Sequence, residues 1–124
     1  MNVVLWVIAS VLALAFLAAG TFKLTQSKEK LAAAGMAWTE DFSQPMIKTI
    51  GVLEILGAIG LILPALLDIA PILVPLAATG LALVMVGASI THYRRRETPM
   101  IAINAVLFAL AVFVAWGRFG PYAF

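Results

Sequence analysis

Long apolar runs, separated by short polar clusters, dominate the chain. Four of them have the length that a bilayer demands: Val3–Phe22, Met46–Leu63, Pro71–Thr91 and Pro99–Trp116. A hydrocarbon core about 30 Å thick takes roughly 20 residues of helix. The first, third and fourth runs carry no charge, and the second holds Lys48 near its start and Glu54 inside. The breaks carry turn and cap chemistry. Ser43 can cap the second helix, with Pro45 in its first turn, and Pro64 is expected to close it. Asp68 and Pro71 open the third helix, and Pro75, one turn in, is expected to kink it. Thr98 and Pro99 read as a cap followed by the first helical residue of the fourth. The pattern predicts an all-α, integral membrane four-helix bundle, with residues 1–124 forming a single membrane domain. The first run reads as a retained span. It lacks the basic segment of a secretory signal and is longer than the usual signal core, and Leu17–Gly20 lacks the cysteine of a lipoprotein site.

Composition points the same way. Of the 124 residues 64% are hydrophobic and only 11% charged, with a mean hydropathy of +1.08. Soluble domains run at about 45–50% apolar and about 25% charged, so lipid must take the place of water around most of this surface. The net charge of +2 is too small to imply a nucleic-acid partner. The absence of cysteine excludes disulfides, thiolate metal sites and iron–sulfur ligation.

Basic residues set the expected orientation. The first connection and its flanks carry Lys23, Lys28, Lys30 and Lys48, and the third connection carries Arg94, Arg95 and Arg96. Those seven stand on one side and Arg118 alone on the other, so loops 24–45 and 92–98 are expected to be cytoplasmic and both termini extracytoplasmic, in the plasma membrane. Trp6, Trp38, Trp116 and Tyr122 fall near the interfaces. Within the long first connection, Leu31, Ala34 and Met36 allow a short surface helix anchored by Trp38, and an ordered polar loop is the alternative.

Four polar residues fall in the same half of the bundle. Glu54 lies seven residues past Ile47, about 10 Å deep, and Asn104 lies five past Pro99, roughly 7–8 Å deep. Lys23 ends the first helix and His92 the third, on the same side. Small neighbours turn Glu54 inward: Gly51, Gly57 and Ala58 share its face, and Gly80, Gly87 and Ala88 offer matching close-approach surface on the third helix. A charge facing lipid costs several kcal/mol. Each residue also has a plain structural reading. Glu54 can fix helix register, Asn104 can glue helices, Lys23 can snorkel outward, and His92 and the arginines can meet headgroups.

"AGTFKL" at Ala19–Leu24, "GVLEILGAIGLILP" at Gly51–Pro64 and "GLALVMVGASITHYRRRE" at Gly80–Glu97, in this order within four spans, resemble the DoxX-like integral membrane proteins. The family takes its name from small subunits associated with terminal quinol oxidase and thiosulfate–quinone oxidoreductase. The resemblance therefore implies a quinone-linked membrane subunit, with Lys23, Glu54 and His92 standing in the family's motifs. One branch resembles a receptor assembly chaperone, so fold does not settle function. A haem with two protein ligands needs two good donors, and His92 is the only histidine. The expectation is thus a protein without intrinsic cofactor or catalysis of its own. It binds a quinone or isoprenoid lipid at Lys23, Glu54, His92 and Asn104, as an accessory subunit of a membrane redox system. The alternatives are an assembly factor whose polar residues bond a protein partner, and a proton-coupled transporter. The charge-free first helix weighs against the transporter, because small four-helix multidrug transporters carry their acid there. Membrane lipids are expected partners, and a thin bundle makes a homo-oligomer plausible.

Overall fold

The computed structural model describes residues 1–124. It contains α1 (Asn2–Thr25), α2 (Lys28–Ala33), a 3-10 helix (Ala37–Asp41), α3 (Gln44–Leu66), α4 (Leu73–Arg94) and α5 (Thr98–Phe119), with no strand. Helices α1, α3, α4 and α5 are long and apolar enough to cross a membrane. The first connection does contain a short helix, α2, which includes Leu31 and ends before Ala34 and Met36. Ser27 caps it through a 3.2 Å bond from the Lys30 amide, and Gly35 closes it at φ +97°. The Met36 amide then returns to the Leu31 carbonyl at 3.0 Å, the Schellman pattern that favours glycine at this position.

Three local expectations need correction. Pro64 does not end its helix: α3 runs on to Leu66, because the one bond that proline forfeits falls in the last turns. Pro75 lies in the first turn of α4, where an N–H has no helical partner to lose, so it gives no cause for a kink. The cap of α5 is Glu97 rather than Thr98, and the Glu97 side chain does no capping because His92 and Arg95 hold it. Ser43 does cap α3, accepting from the Met46 amide at 3.3 Å.

The spans pack in the cyclic order α1, α3, α4, α5, with α5 returning to α1. Their shared core is built from Leu5, Leu12, Phe16, Ala58, Leu61, Leu81, Met85 and Val114. Outward residues are equally apolar: Leu14, Leu56, Leu83 and Val106, one on each span, are more than half exposed. Helices apolar all round suit lipid on one side and neighbouring helices on the other. At the end bearing the termini, Arg118 donates to Asn2 Oδ1 at 2.7 Å and to the Tyr122 carbonyl at 2.9 Å, with the Phe124 ring 4.0 Å away.

Two glycines bring the backbones of α1 and α3 close together. A methyl group added at Gly20 would stand 2.6 Å from the Gly51 carbonyl oxygen, and one added at Gly51 would stand 2.9 Å from that of Gly20. Only hydrogen in place of a side chain permits this crossing. Lys48 supports it by donating to the Leu24 carbonyl at 3.0 Å, one of the carbonyls left open at the end of α1. Gly57 serves a different interface, against the Leu81 side chain on α4. Gly80 and Gly87 do not form the expected close-approach surface, because a methyl group at either would meet nothing within 4 Å. Overpacking a tight contact costs about 1–3 kcal/mol. Gly20→Ala is therefore expected to destabilise the protein on that scale, read as a lower melting temperature in detergent, whereas Gly80→Ala leaves the melting temperature unchanged or slightly raised. Equal behaviour of the two variants would contradict the crossing.

Candidate functional site

The antiparallel pairing of α1 and α3 brings Lys23 and Glu54 together. Leu24 lies beside Lys48 and Gly20 beside Ile55, so the two helices run in opposite directions. Side chains lean toward the N-terminus of their own helix. Lys23 therefore leans back into the bundle, and Glu54 leans toward the end where α1 finishes. They meet with Lys23 Nζ 2.5 Å from Glu54 Oε1, both buried. Lys23 does not snorkel outward. The Trp38 ring, 5.7 Å from Nζ, covers its head.

His92 belongs to the last turn of α4. That helix ends in a second Schellman motif, with the Glu97 amide bonded to the His92 carbonyl at 2.9 Å and the Arg96 amide to that of Tyr93 at 3.1 Å. Arg96 takes the left-handed position, φ 58°, in the place glycine usually fills. The turn folds Glu97 back, and Glu97 Oε1 holds His92 Nδ1 at 2.9 Å. The other face of His92 meets Trp38 edge to face, with centroids 6.3 Å apart. Asn104, on α5, is buried, and its carboxamide makes no hydrogen bond within the chain.

All four side chains expected at the site line one cavity of about 400 Å³. Its remaining walls are mostly apolar, including Phe16, Ile50, Met85 and Leu107, and Gly87 and Ala88 contribute from α4. Gly87 thus leaves space open where a tight helix contact was expected. The first connection covers the end of the cavity with Met36, Trp38 and Phe42. Arg95 fastens this cover through Asp41 at 2.7 Å. The bond to Asp41 holds the Arg95 guanidinium above its ordinary pKa, so it stays charged.

The DoxX-like family model matches residues 7–114. The chain belongs to the DoxX-like family. None of the curated proteins and none of the solved structures matches it.

Several parts of the site in this DoxX-like protein had no clear signal in the sequence. Trp38 reads there as an interfacial anchor but roofs the cavity, Arg95 reads as a lipid contact but clasps Asp41, and Glu97 carries no expected role. The available clue to Glu97 was an acid five residues after a lone histidine, at a helix end. No three residues among His, Cys, Asp and Glu are grouped to hold a metal. The arrangement offers one neutralised ion pair, one oriented imidazole and one free carboxamide on apolar walls.

Breaking a buried pair on one side leaves an uncompensated charge and costs about 3–5 kcal/mol, while replacing both partners by apolar groups is often neutral. Glu54→Leu is expected to destabilise the protein on that scale, and Lys23→Met added to it is expected to recover most of the loss. Chemical or thermal unfolding of the two single variants and the double variant measures the coupling, and additive losses would refute a paired site.

Proposed function

We propose that this DoxX-like protein is an accessory subunit of a membrane redox system that binds a quinone or a related isoprenoid lipid in the cavity between Lys23, Glu54, His92 and Asn104. The carrying observation is the convergence of one polar residue from each of four spans on a single, otherwise apolar cavity. Small-molecule sites have this character: apolar walls, a few placed polar groups, and a volume of roughly 300–1,000 Å³. The polar set suits a ring bearing oxygen, with the apolar walls taking the rest of the molecule. Electron transfer would be supplied by the quinone when bound. The chain's own residues would orient the ring and keep water from it beneath Met36, Trp38 and Phe42. The placement of seven of the eight basic residues at the cavity end supports a cytoplasmic position for that end in the plasma membrane.

A second reading, an assembly factor, draws on the groove between α3 and α4, lined by Gly57, Gly60, Gly80 and exposed leucines. Small residues beside such a groove let another membrane helix approach. Proton-coupled transport finds less support, since Glu54 is engaged by Lys23 rather than standing free.

Gly87→Leu provides a test that spares the fold. It fills the cavity without meeting a neighbour at Cβ, and leucine is the better helix former by roughly 0.5–1 kcal/mol. Native mass spectrometry of protein released gently from its own membrane is expected to show a retained quinone or isoprenoid in the natural chain and none in Gly87→Leu, with thermal stability kept. A retained protein partner with no small molecule in either form would instead select the assembly reading.

A further inference from the structure

The polar atoms lining the cavity are not equally free. Lys23 Nζ and Glu54 Oε1 are spent on each other at 2.5 Å, so this pair brings no net charge to a ligand. The Thr91 hydroxyl donates to the Gly87 carbonyl at 3.0 Å. His92 is held through Nδ1 by Glu97, and no hydrogen bond within the chain reaches its Nε2. Asn104 stands apart. It is 6% exposed, it lines the cavity, and its Nδ2 is buried without any partner. An unpaired amide in apolar surroundings costs roughly 1–3 kcal/mol, and native interiors seldom leave one so. A carboxamide serving as helix–helix glue would bond a neighbouring helix, and this one does not.

We infer that the Asn104 carboxamide is the hydrogen-bond partner of the cavity's ligand, and that this ligand is an uncharged ring carrying a carbonyl oxygen. The inference rests on the cavity being the ligand site, as proposed above, and adds the ligand's charge and the residue that reads its oxygen. Neutrality follows from the ion pair. A cationic ligand would have to compete with Lys23 for Glu54, and an anionic one with Glu54 for Lys23, each leaving a buried charge unmatched. The carbonyl follows from the amide. The atom left buried without a partner is Nδ2, which has two N–H groups to donate and so lacks an acceptor oxygen. Surrounding apolar walls offer such an oxygen no other neutral donor on α5.

The test uses the full-length protein in lipid nanodiscs with Trp6→Phe and Trp116→Phe, so that Trp38, in the cavity roof, is the only indole. Methylnaphthoquinone is the probe, its binding read by quenching of Trp38. Methylnaphthalene, the same ring system without carbonyls, is measured by competition. Asn104→Leu keeps a similar volume and removes the unpaired amide, so its melting temperature should equal or exceed that of the parent. Its affinity for methylnaphthoquinone should fall roughly 3- to 10-fold, while its affinity for methylnaphthalene should hold or improve. Naphthoic acid and naphthylmethylammonium, the anionic and cationic analogues, should not displace the quinone at matching concentrations. Equal affinity of both Asn104 forms for the quinone, a parallel loss for both ring probes, or displacement by either charged analogue overturns the inference. If Asn104→Leu binds the quinone undiminished while Gly87→Leu excludes it, the cavity remains the ligand site and only the Asn104 assignment fails. If methylnaphthoquinone does not enter the cavity of the parent protein, the ligand-site reading falls and takes this inference with it.

Discussion

The contact between Gly20 and Gly51 governs the arrangement of everything at the cavity end. Without side chains between them the backbones of α1 and α3 nearly touch, each glycine's missing methyl group lying under 3.0 Å from the other's carbonyl oxygen. Each glycine stands three residues before a charged residue, Lys23 on one helix and Glu54 on the other, and three residues is close to one helical turn. The same helix faces therefore carry both the contact and the charges. Because the helices are antiparallel, the charged side chains lean toward each other along the axis as well as across it. Packing and electrostatics here have a single geometric cause. A larger residue at either glycine would separate the partners of a buried pair, whose desolvation is offset only at close range.

The lysine and the glutamate are also the reason that the cavity end is tolerable in lipid. A lone carboxylate at this depth would be costly. Paired at 2.5 Å and roofed by Trp38, it is held inside the bundle by a partner that would otherwise reach outward. The cover over the pair is itself a product of backbone chemistry. Gly35 turns the chain out of α2 and sends Met36, Trp38 and Phe42 over the cavity, and the Asp41–Arg95 clasp ties that segment to the turn between α4 and α5. The same turn folds Glu97 onto His92. Two helix C-termini, one closed with glycine and one with arginine in the left-handed region, thus shape one site.

The four spans were legible because lipid imposes length and hydropathy together, and few other constraints produce such runs. Lys23, Glu54, His92 and Asn104 were legible as a group because topology alone places them in one half of the bundle. Their convergence on one cavity was not, since a uniformly apolar helix gives no moment from which to read its rotation. Glycine illustrates the limit. Gly51 and Gly87 look alike in sequence, yet one sits against a neighbouring backbone and the other borders empty space. The clasp and the Glu97 fold-back were hidden for another reason. Asp41 and Arg95 are 54 positions apart, and Arg96 occupies a turn position whose usual marker is glycine.

The distribution of unmet polar groups follows an energetic order. A buried charge without a partner is the most expensive defect that this fold can carry, and an unpaired neutral amide is far cheaper. The chain satisfies its buried acid within itself, through Lys23, and anchors its only histidine through Glu97. What remains open on the cavity wall is neutral: the buried carboxamide of Asn104 and the far nitrogen of the His92 ring, which no group of the chain bonds. A cavity left incomplete at a neutral group can stand empty without threatening the fold, and a bound oxygen can still repay the small cost. Had the open group been Glu54, the bundle would have needed its ligand to be stable. Pairing the charges inside the protein separates the stability of the four helices from occupancy of the space between them.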